Sequence, residues 1–559
     1  LEEETELSRR HTMHMFRHVW SNYEQDAFGF DVLKPISGFG VDSWGGLGQT
    51  IIDSLDTLWL MGFKYEFNRA VDWVKKELDF DVKVNVNTFE TAIRQLGGLL
   101  SAYSLSGRKV LLDKAVELGE KLFVAFSRLQ QAGVPGQQLP FSDVNLKSGQ
   151  VQNKGQYVSL SETYVPLEWK TLSLYTGKCE YSDMQEEVVR FVSKTLDLTK
   201  RGLAPILLRS DGVAWSDEKI NRVSLGSRGD SFYEYLLKST LFSGEHTDAL
   251  TEQLWQKFRK MLPSLLVTVN PSTMGQKKAG PEERQVRPRQ MRKKPSTESH
   301  LAHRRPQQPV WQLENVAPDH PRGYMARSGR HGGWMESYKD AAMPWLFIKE
   351  AGFKQNYAKM DHLVCFLPGS LALDVLHHGG GATFDEGVPW SVRLQSDGSF
   401  VGNISEVPSD RAFELKAAHK LMQTCVHMYF RTTSDLAPEI TRFNSLGLTD
   451  DRRSMHNILR PETVESLLML WRTTKAQIYR NWGQRLLSAF SRRKVEFGYA
   501  SVHNVNQPLG PGRDEMPSFF LAETLKYLYL LFSPDSTLSL HEYVMSTEAH
   551  PMPILSKAN

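Results

Sequence analysis

The stretch Leu459-Arg460-Pro461-Glu462-Thr463-Val464-Glu465-Ser466-Leu467-Leu468-Met469-Leu470-Trp471 decides how the rest of the chain is read. Proline suits the first helical position, and the apolar run after Ser466 marks a helix buried along its length. Glu462 and Glu465 are three residues apart, so both carboxylates face one side of the helix tip. A helix that is apolar behind and acidic at its N-terminal end aims carboxylates into a cavity. By itself the pattern equally fits a capped helix whose acids suit its dipole.

The same architecture recurs along the chain. Helical periodicity predicts helices over Leu47–Gly62, Phe63–Leu78, Phe89–Ser106, Val110–Leu129, Ser161–Tyr175 and Phe232–Phe242. It predicts more over Met360–His377, Ala412–Phe430, Glu462–Thr473, Ala476–Ser491 and Pro517–Phe532, whereas strand signals are sparse and short. Several helices end in a similar turn and restart at once: Leu105-Ser106-Gly107, Tyr175-Thr176-Gly177 and Thr473-Thr474-Lys475. Glycine closes the first two, as a C-cap should. The returning helices echo one another, Gly119-Glu120-Lys121-Leu122-Phe123 against Gly483-Gln484-Arg485-Leu486-Leu487. The fold class is therefore all-α, built from repeated αα-hairpins as a solenoid or a closed ring.

Three further helices deliver acids from apolar surroundings. Asn87-Thr88-Phe89-Glu90-Thr91-Ala92-Ile93-Arg94 places Glu90 and Arg94 as an i,i+4 pair, and Ser227-Arg228-Gly229-Asp230-Ser231-Phe232 opens a helix with Asp230 at its entry. Ser518-Phe519-Phe520-Leu521-Ala522-Glu523 sets Glu523 where an unpaired charge is expensive. Acids reaching one point from hairpins distant in sequence favour the closed ring. They also imply a metal ion, an acid–base pair, or both.

Composition narrows the alternatives. The 559 residues are 40% hydrophobic with a net charge of +3, enough for a large core and too balanced to argue for nucleic acid or a membrane surface. No apolar run reaches the ~18 residues of a membrane helix, and Leu1–Glu6 lacks the pattern of a signal peptide. Two stretches break the helical pattern: a basic Pro/Gly-rich insertion over 271–343 and a Gly/Ser-rich one over 378–409. Gln276–Arg305 holds ten Lys or Arg against three acids. Both read as surface loops. His11, His14 and His18 share a helix face with no partner acid, and His378-Gly379-Gly380-Gly381 has no nucleophile elbow to match. Asn403-Ile404-Ser405 is a glycosylation sequon.

Eight segments in one order resemble the class I α-1,2-mannosidases of glycoside hydrolase family 47, and within it the endoplasmic-reticulum type. They include Trp44–Gly48 with Ile52–Trp59, Phe89–Arg94, Pro140–Asn145, Asp230–Tyr235, Lys359–Phe366, Leu459–Ser466, Phe519–Lys526 and Ser546–Pro551. The resemblance runs from about Met13 to Pro551, the two insertions excepted. It implies an (α/α)7 barrel of seven helix hairpins forming a single catalytic domain over 1–559. It implies an inverting, Ca2+-dependent exo-glycosidase that trims nine-mannose N-glycans to eight in glycoprotein maturation and quality control.

By the same resemblance, Glu90 is the general acid acting through a water, Glu462 the general base and Asp230 a third essential carboxylate. Thr547 binds calcium through hydroxyl and carbonyl, with Glu465, Glu523 and Glu548 holding its waters and the sugar hydroxyls. Arg94, Arg460, His362 and Glu168 contact glycan or position acids, and Phe519 stacks on the sugar. Arg228 stands where reticulum-type enzymes carry arginine, favouring the middle-branch mannose. Cys365 and Cys425 match the family disulfide, which would contribute about 4 kcal/mol in the chain-entropy model, leaving Cys179 free.

The implied partners are high-mannose N-glycans, with no nucleic acid, and the implied state is a monomer. The implied address is the lumen of the endoplasmic reticulum or early Golgi, as part of a type II membrane protein anchored outside this chain. A mannose-binding, lectin-like factor in glycoprotein quality control is the alternative. Nucleic-acid binding through 276–305 is a third reading, marked by steep salt dependence.

Overall fold

A computed structural model describes residues 2–131, 138–153, 157–244, 249–269, 345–378, 393–394, 400–401, 411–445, 447–507, 510 and 512–557. The chain divides into one unit of residues 1–270 and 344–559 and a second, Pro271–Met343. The second unit, the predicted basic insertion, lies outside the described residues.

Among the described residues the helices form seven antiparallel pairs. Gln49–Leu60 packs on Lys64–Lys76, Gly97–Ser106 on Lys109–Gln131, Pro166–Thr176 on Glu180–Leu196, and Asp230–Ser243 on Ala249–Met261. Leu367–His378 packs on Arg411–Phe430 and Glu462–Thr474 on Gln477–Ser491. The seventh pair joins Leu525–Leu531 to Glu2–Asp26, so the first helix of the chain partners the last inner one. The first member of each of the six earlier pairs touches its counterpart in the next. The seventh inner helix, with Phe520–Thr524 ahead of it, touches the sixth and returns to Gln49–Leu60. The ring is closed.

Sequence explains which helices go inside. Ser231–Ser243 is buried at every position, whereas Lys64–Lys76 buries only Phe67, Ala70, Val71 and Val74, one stripe of an amphipathic helix. Glycines let inner helices approach closely. A Cβ on Gly98 would sit 2.6 Å from the Ile52 carbonyl oxygen, and one on Gly369 would sit 2.9 Å from the Ser466 Cα. The hairpin turns close on left-handed residues: Gly107, Gly177 and, without glycine, Lys475 at φ 57°.

Several boundaries differ from those predicted. Glu180–Leu196 and Ala249–Met261 are outer helices absent from the prediction, and Glu2–Asp26 extends the helix on which His11, His14 and His18 share a face; all three have apolar stripes interrupted by charged faces. The helix expected over Met360–His377 starts instead as strand Lys359–Asp361, then a tight 3-10 segment His362–Phe366, before Leu367–His378. Short strands do occur, in sheets of two to four. Asn85–Asn87, Val158–Ser159, Arg222–Val223 and Lys359–Asp361 each precede the entry to an inner helix. They form a collar on the helical framework and leave the all-α core intact. Within the expected 378–409 insertion, Arg393–Leu394 and Phe400–Val401 pair as antiparallel strands. Asn403 lies outside the described residues.

Candidate active site

Consecutive inner helices of such a ring run the same way, so their N-terminal ends gather at one end. A cavity of about 540 Å³ opens there, lined from the entries of six of the seven inner elements. Glu90, Glu162, Asp230, Phe366, Glu462 and Glu523 represent one element each. Helix N-termini carry partial positive charge, which suits the carboxylates they present. The terminal hairpin Tyr543–Met545/Pro551–Pro553 packs on three inner helices and brings Thr547 and Glu548 to the same cavity.

One wall belongs to Glu90. The Asn87 side chain caps the helix by accepting the Glu90 backbone N–H at 2.9 Å. Arg94 Nε donates to Glu90 Oε2 at 3.0 Å, and Nη1 pairs with Glu548. Arg94 lies in a π-helical segment, Ala92–Leu96; Glu523 lies in another, Phe520–Thr524. The wide turns shift side chains off the α-helical register, a device common at functional sites. The Arg94 guanidinium also sits 5.9 Å from the Phe519 ring, as does that of Arg460.

The opposite wall belongs to Glu462 and Asp230. His362 Nδ1 lies 2.7 Å from Glu462 Oε2, and its Nε2 lies 2.7 Å from the Tyr429 hydroxyl and 3.0 Å from that of Thr463. With Nδ1 donating to the carboxylate, Nε2 faces the two hydroxyls. Burial raises the Glu462 carboxyl, but the His362 bond and charge and the Arg460 guanidinium 4.0 Å away outweigh it and hold it below the usual value. Asp230 has weaker support: the Ser161 hydroxyl at 2.9 Å and the Ser231 N–H at 2.8 Å. Burial pushes it up to about 7. Arg228, Leu459 and Ala549, each within three residues of a cavity-lining acid, hold left-handed backbone at φ 75°, 67° and 58°. That is strain stored at the site.

The floor is crowded with acids. Thr547 Oγ1 donates to Glu234 at 2.7 Å, and buried Lys238 bridges Glu234 and Glu465, the latter at 3.0 Å. Burial pushes Glu465 up to about 7 and Glu548 up to about 8; burial and then its acidic neighbours push Glu523 well above the ordinary range.

The cavity thus holds eleven of the residues the sequence pointed to: Glu90, Arg94, Arg228, Asp230, Arg460, Glu462, Glu465, Phe519, Glu523, Thr547 and Glu548. His362 stands behind Glu462. Glu168 corrects its expected role as a glycan contact. It is fully buried and off the cavity wall, because its carboxylate turns to accept the Tyr235 hydroxyl at 2.7 Å. Tyr235 in turn accepts the Thr547 N–H at 3.1 Å, so Glu168 acts through the floor. Sequence reasoning gave no role to Glu234 or Lys238. Their i,i+4 charges on an otherwise apolar helix were the available signal. Cys365 and Cys425 are disulfide-bonded, and Cys179 is free and exposed.

Oxygen donors converging without enough cations are the chemistry of a hard-ion site. Among the described residues no three acids, histidines or cysteines stand close enough to grip an ion directly. An ion at the floor would meet Thr547, with the carboxylates of Glu465, Glu523 and Glu548 around it.

A closed helical barrel with acids and arginines gathered around one sugar-sized cup is the framework of an acid–base hydrolase. The sequence profile of Glycosyl hydrolase family 47 matches residues 15–299 and 334–554, and the chain belongs to that family of glycoside hydrolases. The endoplasmic reticulum mannosyl-oligosaccharide 1,2-alpha-mannosidase of Rattus norvegicus is 35% identical over 97% of this chain and 67% of its own length. The mannosyl-oligosaccharide 1,2-alpha-mannosidase MNS1 of Arabidopsis thaliana is 33% identical over 97% of this chain and 77% of its own. The alpha-1,2-mannosidase from Trichoderma reesei superposes with a TM-score of 0.72 at 22% identity, covering 98% of this chain and 99% of that one, and shares the fold. The chain spans about two thirds of the length of its mammalian relatives.

Proposed function

We propose that the protein is a calcium-dependent, inverting exo-α-1,2-mannosidase that removes a terminal mannose from high-mannose N-glycans, taking nine-mannose glycans to eight. The observation that carries this is the opposite treatment of acids within one cavity. Glu462 is pulled down by His362 and Arg460 and stays a carboxylate, while Asp230 is pushed up to about 7 and can hold a proton. A carboxylate held ionised in the cavity suits the general base, and the acid role of Glu90 rests on the family resemblance. Glu462 takes the proton of the attacking water, and Glu90, oriented by Arg94, delivers one through a water to the departing oxygen. In an inverting enzyme the two carboxyl groups stand ~6.5–9.5 Å apart to admit the nucleophilic water. Phe519 stacks on the ring, and Arg228 at the cavity edge meets the rest of the glycan. A bound calcium would polarise the sugar hydroxyls it met and neutralise the acids around Thr547.

A second arrangement makes Asp230 the proton donor, favoured by its raised pKa. An aryl mannoside with a good leaving group separates the two, because it restores turnover in whichever acid variant, Glu90→Gln or Asp230→Asn, has lost the donor. The relatives' names and the Cys365–Cys425 disulfide support a lumenal address in the secretory pathway. The whole reading is tested by incubating the protein with a nine-mannose glycan, with and without chelator. Release of one mannose as the β anomer, only with calcium present, supports it; binding without release supports the lectin-like alternative.

A further inference from the structure

Behind the floor lies a second set of buried charges that the proposed reaction does not use. Asp53 and Asp56 come from the first inner helix, Lys526 from the last, and His550 from the terminal hairpin, and all four side chains are fully buried. Lys526 Nζ lies 2.7 Å from Asp56 Oδ1 and donates to the Ala549 carbonyl at 2.7 Å. His550 Nδ1 lies 2.7 Å from Asp56 Oδ2, while its Nε2 lies 3.3 Å from Asp53 Oδ1. Ser101 on the second inner helix donates to Asp56 at 2.9 Å. Between Ser546 and His550 runs the tight turn that carries Thr547 and Glu548, closed by the Ser546 N–H donating to the His550 carbonyl at 2.8 Å.

We propose that Asp56, Lys526 and His550 are positioning residues that latch this turn to the closed ring, so that completing the barrel sets the geometry of the Thr547–Glu548 floor. Two features favour the latch over a generic core network. Its bonds land on Ala549, at φ 58°, and on His550, the two residues following Thr547 and Glu548, where a left-handed turn would relax if released. Asp53, its second acid, also lies 3.9 Å from Arg94 Nη1, the guanidinium paired with Glu548 and Glu90. The latch thus grips the floor from its backbone and from its arginine. Outer groups that orient a metal site are worth about 10–100-fold in affinity.

The calcium arm of the test rests on the function proposed above. Calcium titrated calorimetrically into the apo protein should bind Lys526→Met and Asp56→Asn about 10–100-fold more weakly than wild type. Lys526→Arg should recover part of the loss. Asp374→Asn breaks a different buried pair, with Arg259 at 3.1 Å, and is the stability control. It should lower the melting temperature while keeping wild-type calcium affinity. Where Lys526→Met does not fold, Ser101→Ala removes one hydroxyl from Asp56 and should weaken calcium about fivefold, the worth of one hydrogen bond. Wild-type affinity in the latch variants overturns the proposal. If the wild-type protein takes up no calcium, the calcium reading fails separately. The latch is then judged on KM for the nine-mannose glycan, and an unchanged KM sinks it.

Discussion

The Glu462 wall and the Thr547 floor are built from the same residue type and reach opposite electrostatic ends. At the wall, one glutamate has a histidine bonded to it at 2.7 Å and an arginine 4.0 Å away whose closer partner is Glu439, and its carboxyl is held below the usual value. At the floor, Glu465, Glu523 and Glu548 share Lys238 and Arg94 with one another and with Glu234 and Glu90, and all three are pushed up. Burial is common to both places, so the partners decide the outcome. The wall is finished as folded; the floor is short of positive charge.

The largest expected effect comes from the wall. Glu462→Gln should cut kcat by about 10²–10⁴-fold, the worth of a general base, while glycan affinity measured by calorimetry stays near wild type. The floor should respond to added cation: calcium at one hundred times its Kd should stabilise the fold by about 2.7 kcal/mol, read as a rise in Tm that chelator reverses. A Tm indifferent to calcium would place the floor's acids in a purely structural role.

His362→Ala tests the wall more finely. It removes the hydrogen bond that lowers Glu462, so the acidic limb of the kcat/KM profile should move to higher pH, with calcium affinity unchanged. A limb that stays put means Arg460 alone sets the ionisation. The Cys365–Cys425 disulfide ties the His362–Phe366 segment to Arg411–Phe430. Replacing both cysteines with serine should lower stability by about 4 kcal/mol in the chain-entropy model, seen as a fall in Tm with the calcium response intact.

The smallest effect concerns pH and the latch behind the floor. Burial disfavours the His550 cation, but Asp56 and Asp53 raise it from 6.5 to about 9. Its stabilisation is therefore complete below 6.5 and fades as pH climbs through about 9. Asp56 is lowered from 3.8 to about 2, so its share is present above 3.8 and is lost as pH falls through about 2. The Tm of wild type minus that of His550→Gln should shrink between neutral pH and pH 9. A constant difference would show that His550 is neutral in the fold.

Much of this was legible in advance. Helix pairs closing on Gly107 and Gly177, and acids at helix entries such as Glu462-x-x-Glu465, announce inward-facing tips through spacing alone. Less visible were features made by contacts between distant segments. The π turns at Arg94 and Glu523 leave no mark in hydrophobic periodicity, because one extra residue per turn changes register without changing composition. The 3-10 segment over His362–Phe366 read as plain helix because four of its five residues are apolar whichever way they wind. Glu168 read as a sugar contact by family resemblance alone, and sequence cannot tell whether its carboxylate faces the cavity or the Tyr235 hydroxyl.

Local sequence determined the elements: amphipathic stripes chose outer helices and uniformly apolar ones chose inner helices. Only the tertiary structure decided which acids would be charged. That choice depends on neighbours hundreds of residues away, His362 for Glu462 and Arg94 for Glu548, and on burial that exists only once the last inner helix meets the first.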